Sequence, residues 1–237
     1  MNPPLILLTN DDGIEAEGLR ALERVIPDTW EVHVVAPATV MSQCGHRITT
    51  DEPLLVSRRG PRHHAVAGTP ADCVRLALTQ LLPRQPDWVL SGINAGGNLG
   101  ADIYVSGTVA AVREATYLGR QGIALSHYKK SGVDFDWKWA SRCAWHVIEE
   151  LMASSLEEGE HWNVNLPHLP PGDEIPKRVH CSPSRQALPV SFEALSEVEE
   201  TSRRFAYNGV YADRKHESGS DIDVCFGGKI AVSKLRL

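Results

Sequence analysis

Short apolar runs recur along the chain at Leu5–Leu8, Val32–Ala36, Trp88–Leu90 and Ile123–Leu125, and this spacing constrains the fold more than any other feature. Each run suits a strand buried on both faces and is too short for a helix. Between them lie stretches of helical length, at 16–26, 70–82 and 107–118. In the first, EGLRALERVI, residues Leu19, Leu22, Val25 and Ile26 fall at helical spacing and Pro27 stops the run. Strand alternating with helix implies right-handed crossovers. The expected class is therefore α/β, a Rossmann-like, doubly wound and mostly parallel sheet.

The texture changes near residue 160. The stretch 163–190 holds six prolines and no clear helical period, so it reads as irregular strands and loops. Beyond it, HESGSDIDV is polar and turn-prone, and GGKIAVSKL has strand character. Two parts are expected: a catalytic core over residues 1–160, and a smaller β-rich C-terminal lobe over 161–237 that completes the fold and carries oligomer contacts.

Composition narrows the partners. Thirty acidic against twenty-four basic residues give a net charge of -6, which argues against nucleic acid polymers and anionic membranes. The five cysteines are odd in number and form no C-x-x-C pair, so neither a disulfide framework nor a zinc knuckle is expected. The N-terminal segment has no basic region and only four consecutive apolar residues, too few for a signal peptide or membrane span. A cytoplasmic protein is expected.

Strand ends carry the chemistry. In an open parallel sheet, ligands gather beyond the carboxyl ends of the strands. Asp11 and Asp12 sit at one such end, Ser42 follows the EVHVVA run, and Asn94 closes PDWVLSGIN. Adjacent carboxylates repel each other and are costly to bury unless a cation or hydrogen-bond donors keep them ionised. Magnesium or manganese favours such oxygen donors and keeps positions open for water and phosphate. Taken alone, Asp-Asp-Gly also reads as a turn and helix cap, and such a pair occurs in signalling receivers as well.

A second constellation is SGINAGGNLGADIYVSGTVAAVREA, residues 91–115. Its glycines suit a loop wrapped around a ligand, and Asn94 and Asn98 add uncharged polar groups. Ser106, Gly107 and Thr108 open a helix, a seat for phosphate or a plain cap. Elsewhere, Thr69 opens another helix and is a candidate lining residue, Cys73 reads as core, and His63-His64 reads as a solvated turn. His46 is of interest because it shares a loop with Ser42.

Taken in order, TNDDGIEAEGL, VVAPATVMS, GTPADCV and PDWVLSGINAGGNLG…SGTV resemble the SurE family of survival proteins, and the late GSDIDV and GGKIAVSKL resemble that family's closing segments. The resemblance implies a metal-dependent 5'-nucleotidase. Such an enzyme releases phosphate from nucleoside monophosphates, 5'- and also 3'-, and acts on short polyphosphate. It implies one divalent ion, Mg2+ or Mn2+, on Asp11, Asp12, Ser42 and Asn94, with Asp11 and Asp12 catalytic. Phosphate contacts map onto Asn98, Ser106, Gly107 and Thr108, and the assembly is a homodimer or homotetramer. Three positions depart from the family: glycine is usual at Gln43, serine at Gly45 and tyrosine at Val105. The alternative reading is a nucleotide- or phosphate-sensing protein that uses the same acidic pocket with weak catalysis.

Overall fold

The computed structural model describes residues 3–130, 132–170, 172, 174–199 and 202–237; Pro171 and Asp173 of the proline-rich stretch lie outside it. The N-terminal half runs β1 (Leu5–Thr9), α1 (Glu17–Val25), β2 (Glu31–Pro37), β3 (Val56–Gly60), β4 (His63–Val66), α2 (Pro70–Leu76), β5 (Trp88–Asn94), α3 (Asp102–Val105) and α4 (Gly107–Tyr117). It continues through β6 (Gly122–His127), α5 (Trp137–Met152), β7 (Glu160–Leu166), β8 (Arg178–His180), β9 (Phe192–Glu199), β10 (Ser202–Tyr207), α6 (Asp221–Phe226) and β11 (Ile230–Arg236).

Nine strands form one mixed sheet in the order β3-β4-β2-β1-β5-β6-β7-β11-β8. The central run from β4 to β7 is parallel, while β3 and β11 pair antiparallel with β4 and β7. From β1 the chain first winds toward β2 and then returns to place β5 on the other side. The strand order therefore reverses between β1 and β5, where a crevice opens at the carboxyl ends. β9 and β10 form a separate two-stranded ribbon, while β7, β8 and β11 continue the main sheet.

Both sheet faces are covered. Ile6, Leu8, Val34 and Leu90 pack with Leu19 and Leu22 of α1 and with Ala140, Ala144 and Ile148 of α5. Leu7, Val35 and Val89 point the other way, onto Val74 of α2 and Ala111 and Ala115 of α4. The period of two along β1 thus feeds two cores, which is why its whole run is apolar.

Each expected helix is present, with its end set by local chemistry. α1 ends at Val25, and its C-cap Ile26, the residue before Pro27, is already extended. α2 begins at Pro70 behind a capping box of Thr69 and Asp72, then runs into a π-helical turn over Ala77–Leu81. Two sequence readings need correction, and one helix lies in a segment given no reading: α5 fills sixteen residues between 127 and 160. The end of HESGSDIDV forms α6, because Ser220 caps it and Asp221 and Asp223 sit in its first turn. His63 and His64 belong to β4 rather than a turn, and His63 pairs with Glu23 at 2.8 Å.

One close approach fixes α1 against the sheet. A β-carbon at Gly18 would overlap the Ile93 carbonyl and stand 3.0 Å from the Trp137 ring. Gly18→Ala is therefore expected to destabilise the fold by about 2 kcal/mol or more despite alanine's better helix propensity, as read by chemical denaturation.

Candidate active site at the β1–β5 crevice

Asp11 and Asp12 leave β1 at the reversal point. The Asn10 side-chain amide donates to the Gly13 carbonyl at 2.9 Å and fixes the turn. Met41 donates its N–H to the Asp11 carbonyl at 2.7 Å, which draws the loop after β2 against the pair. Ala95, just past β5, donates its N–H to Asp12 Oδ2 at 3.0 Å. Three strand ends are thus tied together by hydrogen bonds from the Met41 and Ala95 main-chain N–H groups to the Asp11 carbonyl and the Asp12 carboxylate. Asp11, Asp12, Ser42, Asn94, Asn98 and Ser106 all line one cleft of about 730 Å³.

The remaining expected residues stand behind that surface. Thr108 Oγ1 donates to Asp11 Oδ1 at 2.5 Å, and Thr108 is fully buried. Gly107 lets α4 approach this closely, since a β-carbon there would lie 2.8 Å from Asp11 Cβ and 3.0 Å from Cys44 Sγ. Ser106 caps α4 by accepting from the Val109 N–H. Asn98 is anchored through Nδ2 to Ser126 Oγ and through its N–H to Asn165, both at 2.8 Å.

The electrostatics favour a cation. Burial raises the Asp11 carboxyl from 3.8 to about 6, and the Asp12 charge adds to the effect while the Thr108 hydrogen bond opposes it. Burial also raises Asp12. Among the described residues three aspartates line the cleft, and no Lys, Arg or His does. One of them, Asp102, is already answered by Arg214 at 2.7 Å and the Tyr211 hydroxyl at 2.6 Å. Among the described residues Asp11 and Asp12 have no cationic partner, only the Thr108 and Ala95 donors, so a hard divalent ion fits their oxygen donors together with Ser42 and Asn94. Among the described residues no three of His, Cys, Asp and Glu cluster as a metal site, so an ion held here would need hydroxyl and amide oxygens as well.

His46 does not join the cleft lining. Its Nε2 pairs with Glu114 of α4 at 2.8 Å, and Arg75 holds the same carboxylate at 3.2 Å. This pairing, chiefly the His46 hydrogen bond, pulls the Glu114 pKa down and anchors the Ser42 loop to α4. Thr69 spends its hydroxyl on Asp72 and on the Arg47 carbonyl, and Cys73 is core.

Sequence reasoning missed the opposite wall. Leu188, Pro189, Val190, Phe192, Tyr207 and Tyr211 complete the cleft from the ribbon and its flanks. Only the fold brings them within reach of a motif about 180 residues earlier, although their aromatic character is a signal for ligand stacking.

A match to the model of survival protein SurE spans residues 6–187. The chain belongs to the SurE family. It is 48% identical over 232 residues to a putative 5'-nucleotidase of Nostoc sp., covering 98% of this chain and 99% of that one. It is 38% identical over 247 residues to the 5'-nucleotidase SurE of Moorella thermoacetica, with 98% and 90% covered. The crystal structure of the SurE protein from Aquifex aeolicus superposes with a TM-score of 0.84 at 30% identity, covering 98% and 93% of the two chains.

The departure at Gln43 has a backbone consequence in this SurE chain. Gln43 is the only non-glycine residue with positive φ among the described residues, at 57°. That region strains any residue with a β-carbon by about 1–2 kcal/mol. Gln43→Gly is therefore expected to be neutral or stabilising by up to about 1 kcal/mol once unfolded-chain entropy is subtracted. Gln43→Val should lose about 1–2 kcal/mol, since a branched β-carbon tolerates this conformation least. Urea midpoints of the two variants check both signs.

Proposed function

We propose that this SurE chain is a phosphomonoesterase that hydrolyses nucleoside 5'-monophosphates to nucleoside and phosphate, with one divalent ion, Mg2+ or Mn2+, held by Asp11, Asp12, Ser42 and Asn94. The observation that carries the reading is the meeting of these four residues in one cleft at the point where strand order reverses. The printed 5'-nucleotidase names of its relatives support the reaction class. When bound, such an ion supplies positive charge for phosphoryl oxygens and a water of lowered pKa.

The chain's own groups divide the rest of the work. Thr108 holds Asp11 in place through Oδ1, so Asp11 serves as a fixed ligand. Asp12 accepts the Ala95 N–H with one lone pair of Oδ2 and lies nearer the solvent, so its remaining lone pairs are free both to hold the ion and to take a proton from the attacking water as general base. Ser106 and Asn98, on the same lining, face the position of a phosphoryl group, with Gly107 and Thr108 fixing the helix start behind them. Phe192, Tyr207 and Tyr211 supply ring surface for a base.

The exposed apolar side chains of the ribbon, among them Phe192, Leu195 and Phe205, support the reading that the 161–237 region carries homodimer or homotetramer contacts. Five free cysteines accord with a cytoplasmic setting. Among the described residues no helix is long and apolar enough to cross a membrane.

The test is phosphate release from a panel of 5'- and 3'-nucleotides and short polyphosphate, with manganese, magnesium and chelator compared. Metal-dependent release from 5'-monophosphates is expected. A panel without turnover, combined with a stable acyl-phosphate after treatment with acetyl phosphate and magnesium, supports a sensing role and contradicts the proposal.

A further inference from the structure

A second cavity, of about 770 Å³, has no part in the chemistry above. Two chain segments wall it off from the aspartate cleft. In the first, Ile103 and Tyr104 line this cavity while Asp102, Val105 and Ser106 line the cleft. In the second, residues 184–187 face this cavity and residues 188–190 face the cleft.

The lining has an unusual charge for this protein. Among the described residues it contains Arg113, Arg185 and Arg236 and no carboxylate, in a chain of net charge -6. Arg236 also reaches Glu157 at 3.5 Å, an exposed pair, and the Arg185 N–H donates to Glu217 at 3.4 Å. Arg113 is half-buried and donates through Nη2 to the Ile103 carbonyl at 3.1 Å. A guanidinium carries five N–H donors, so most of its capacity is left for a ligand.

His161 of β7 adds an independent observation. It is 1% exposed and lines this cavity, yet neither ring nitrogen has a hydrogen-bond partner among the described residues. Burial, helped by the Arg113 charge, lowers its pKa to about 4, so the ring is neutral at pH 7 and has one donor and one acceptor to satisfy. Buried polar atoms are ordinarily paired, and an unpaired ring in a residue that lines a cavity leaves donor and acceptor capacity beside that cavity.

We propose that this cavity is a second ligand site that takes a phosphate-bearing, nucleotide-sized anion, with Arg113 and Arg185 on the phosphate and His161 hydrogen-bonded to a polar group of the ligand. The cavity volume is in the range of small-molecule sites. Ile103, Tyr104 and Leu235 offer apolar and ring surface for the rest of such a molecule. Arginine is suited to the phosphate because its fork of donors matches paired oxygens.

Equilibrium dialysis of the metal-loaded protein with a non-hydrolysable phosphonate analogue of adenosine monophosphate tests this. Two sites per chain are expected in the unmodified protein. Asp12→Asn should disturb one site and spare the other. Arg113→Gln and Arg185→Ala should each weaken the spared site about tenfold or more, the cost of a lost charge-assisted bond, while leaving phosphate release in place. Arg185 is exposed, so its substitution disturbs the fold little and this variant remains informative if Arg113→Gln fails to fold. A single site per chain, or a second site unchanged in both variants, overturns the proposal. Inorganic phosphate binding there as tightly as the analogue overturns the nucleotide assignment. Neither result touches the hydrolase reading, which fails separately if no nucleotide is turned over.

Discussion

Asp12→Asn is expected to lower kcat/KM for a nucleoside 5'-monophosphate by about a thousandfold or more, close to 4 kcal/mol of transition-state stabilisation. The size follows from the two roles proposed for this one side chain. Asparagine keeps the shape and can still accept from Ala95, yet it loses the charge that attracts a cation and the basic oxygen that takes a proton. Stability should move the other way. Removing one of two adjacent, partly buried carboxylates relieves the repulsion that helps to raise Asp11, so the melting temperature should hold or increase. Loss of activity with intact or improved stability separates a functional residue from a structural one. A variant with near-normal turnover, or one that fails to fold, would remove Asp12 from the mechanism.

The second large effect is a coupling of metal, pH and stability through Asp11. Its carboxyl is raised from 3.8 to about 6, so the metal-free fold binds this proton more tightly than the unfolded chain does. The sign follows directly. Below pH 4 the group is protonated in both states and costs nothing; above pH 6 it is a buried charge, and the full penalty applies. Between those limits the metal-free protein should lose stability as pH rises, by about 3 kcal/mol from this group. A cation that neutralises the pair removes the penalty and adds its own binding energy, about 2.7 kcal/mol at a hundredfold excess over Kd. Manganese should therefore raise the melting temperature strongly at pH 7 and weakly at pH 4.5. In Asp11→Asn both the pH slope and the manganese shift should shrink. Thermal scans of chelator-treated and manganese-loaded protein, with and without the substitution, measure all four quantities.

The central sheet was legible because burial on two faces leaves a strong local mark. Leu5–Leu8 feed two cores at once, so every position must be apolar, and a run of that kind is visible without any partner. The same logic exposed Asp11 and Asp12: two charges directly after a buried strand call for an explanation in their own neighbourhood. Asn94 and Ser42 followed from their places at other strand ends. α5 was within reach too, since Trp139, Cys143, Val147 and Leu151 recur at helical spacing and are all buried.

Other features left no comparable trace. HESGSDIDV reads as polar turn until Ser220 is seen capping α6, because six residues are too few to show a period. The pairing of His46 with Glu114 spans 68 positions and depends on how α4 lies across the sheet. The aromatic wall of the cleft comes from residues 192–211, whose ring positions are set by the ribbon and not by any motif around them. Ser106 and Thr108 show a further limit. Sequence posed a choice between helix cap and phosphate seat, and the fold gives Ser106 a capping bond on α4 while leaving it on the cleft surface.

The claim on which the account rests is that separate loops bring Asp11, Asp12, Ser42 and Asn94 to one divalent ion. Titration of the chelator-treated protein with Mn2+, followed by the electron paramagnetic resonance signal of the free ion, tests it most directly. The account predicts one tightly bound Mn2+ per chain, lost in Asp12→Asn and weakened in both Ser42→Ala and Asn94→Ala. Absence of stoichiometric binding, or an isotherm indifferent to all three substitutions, would contradict it.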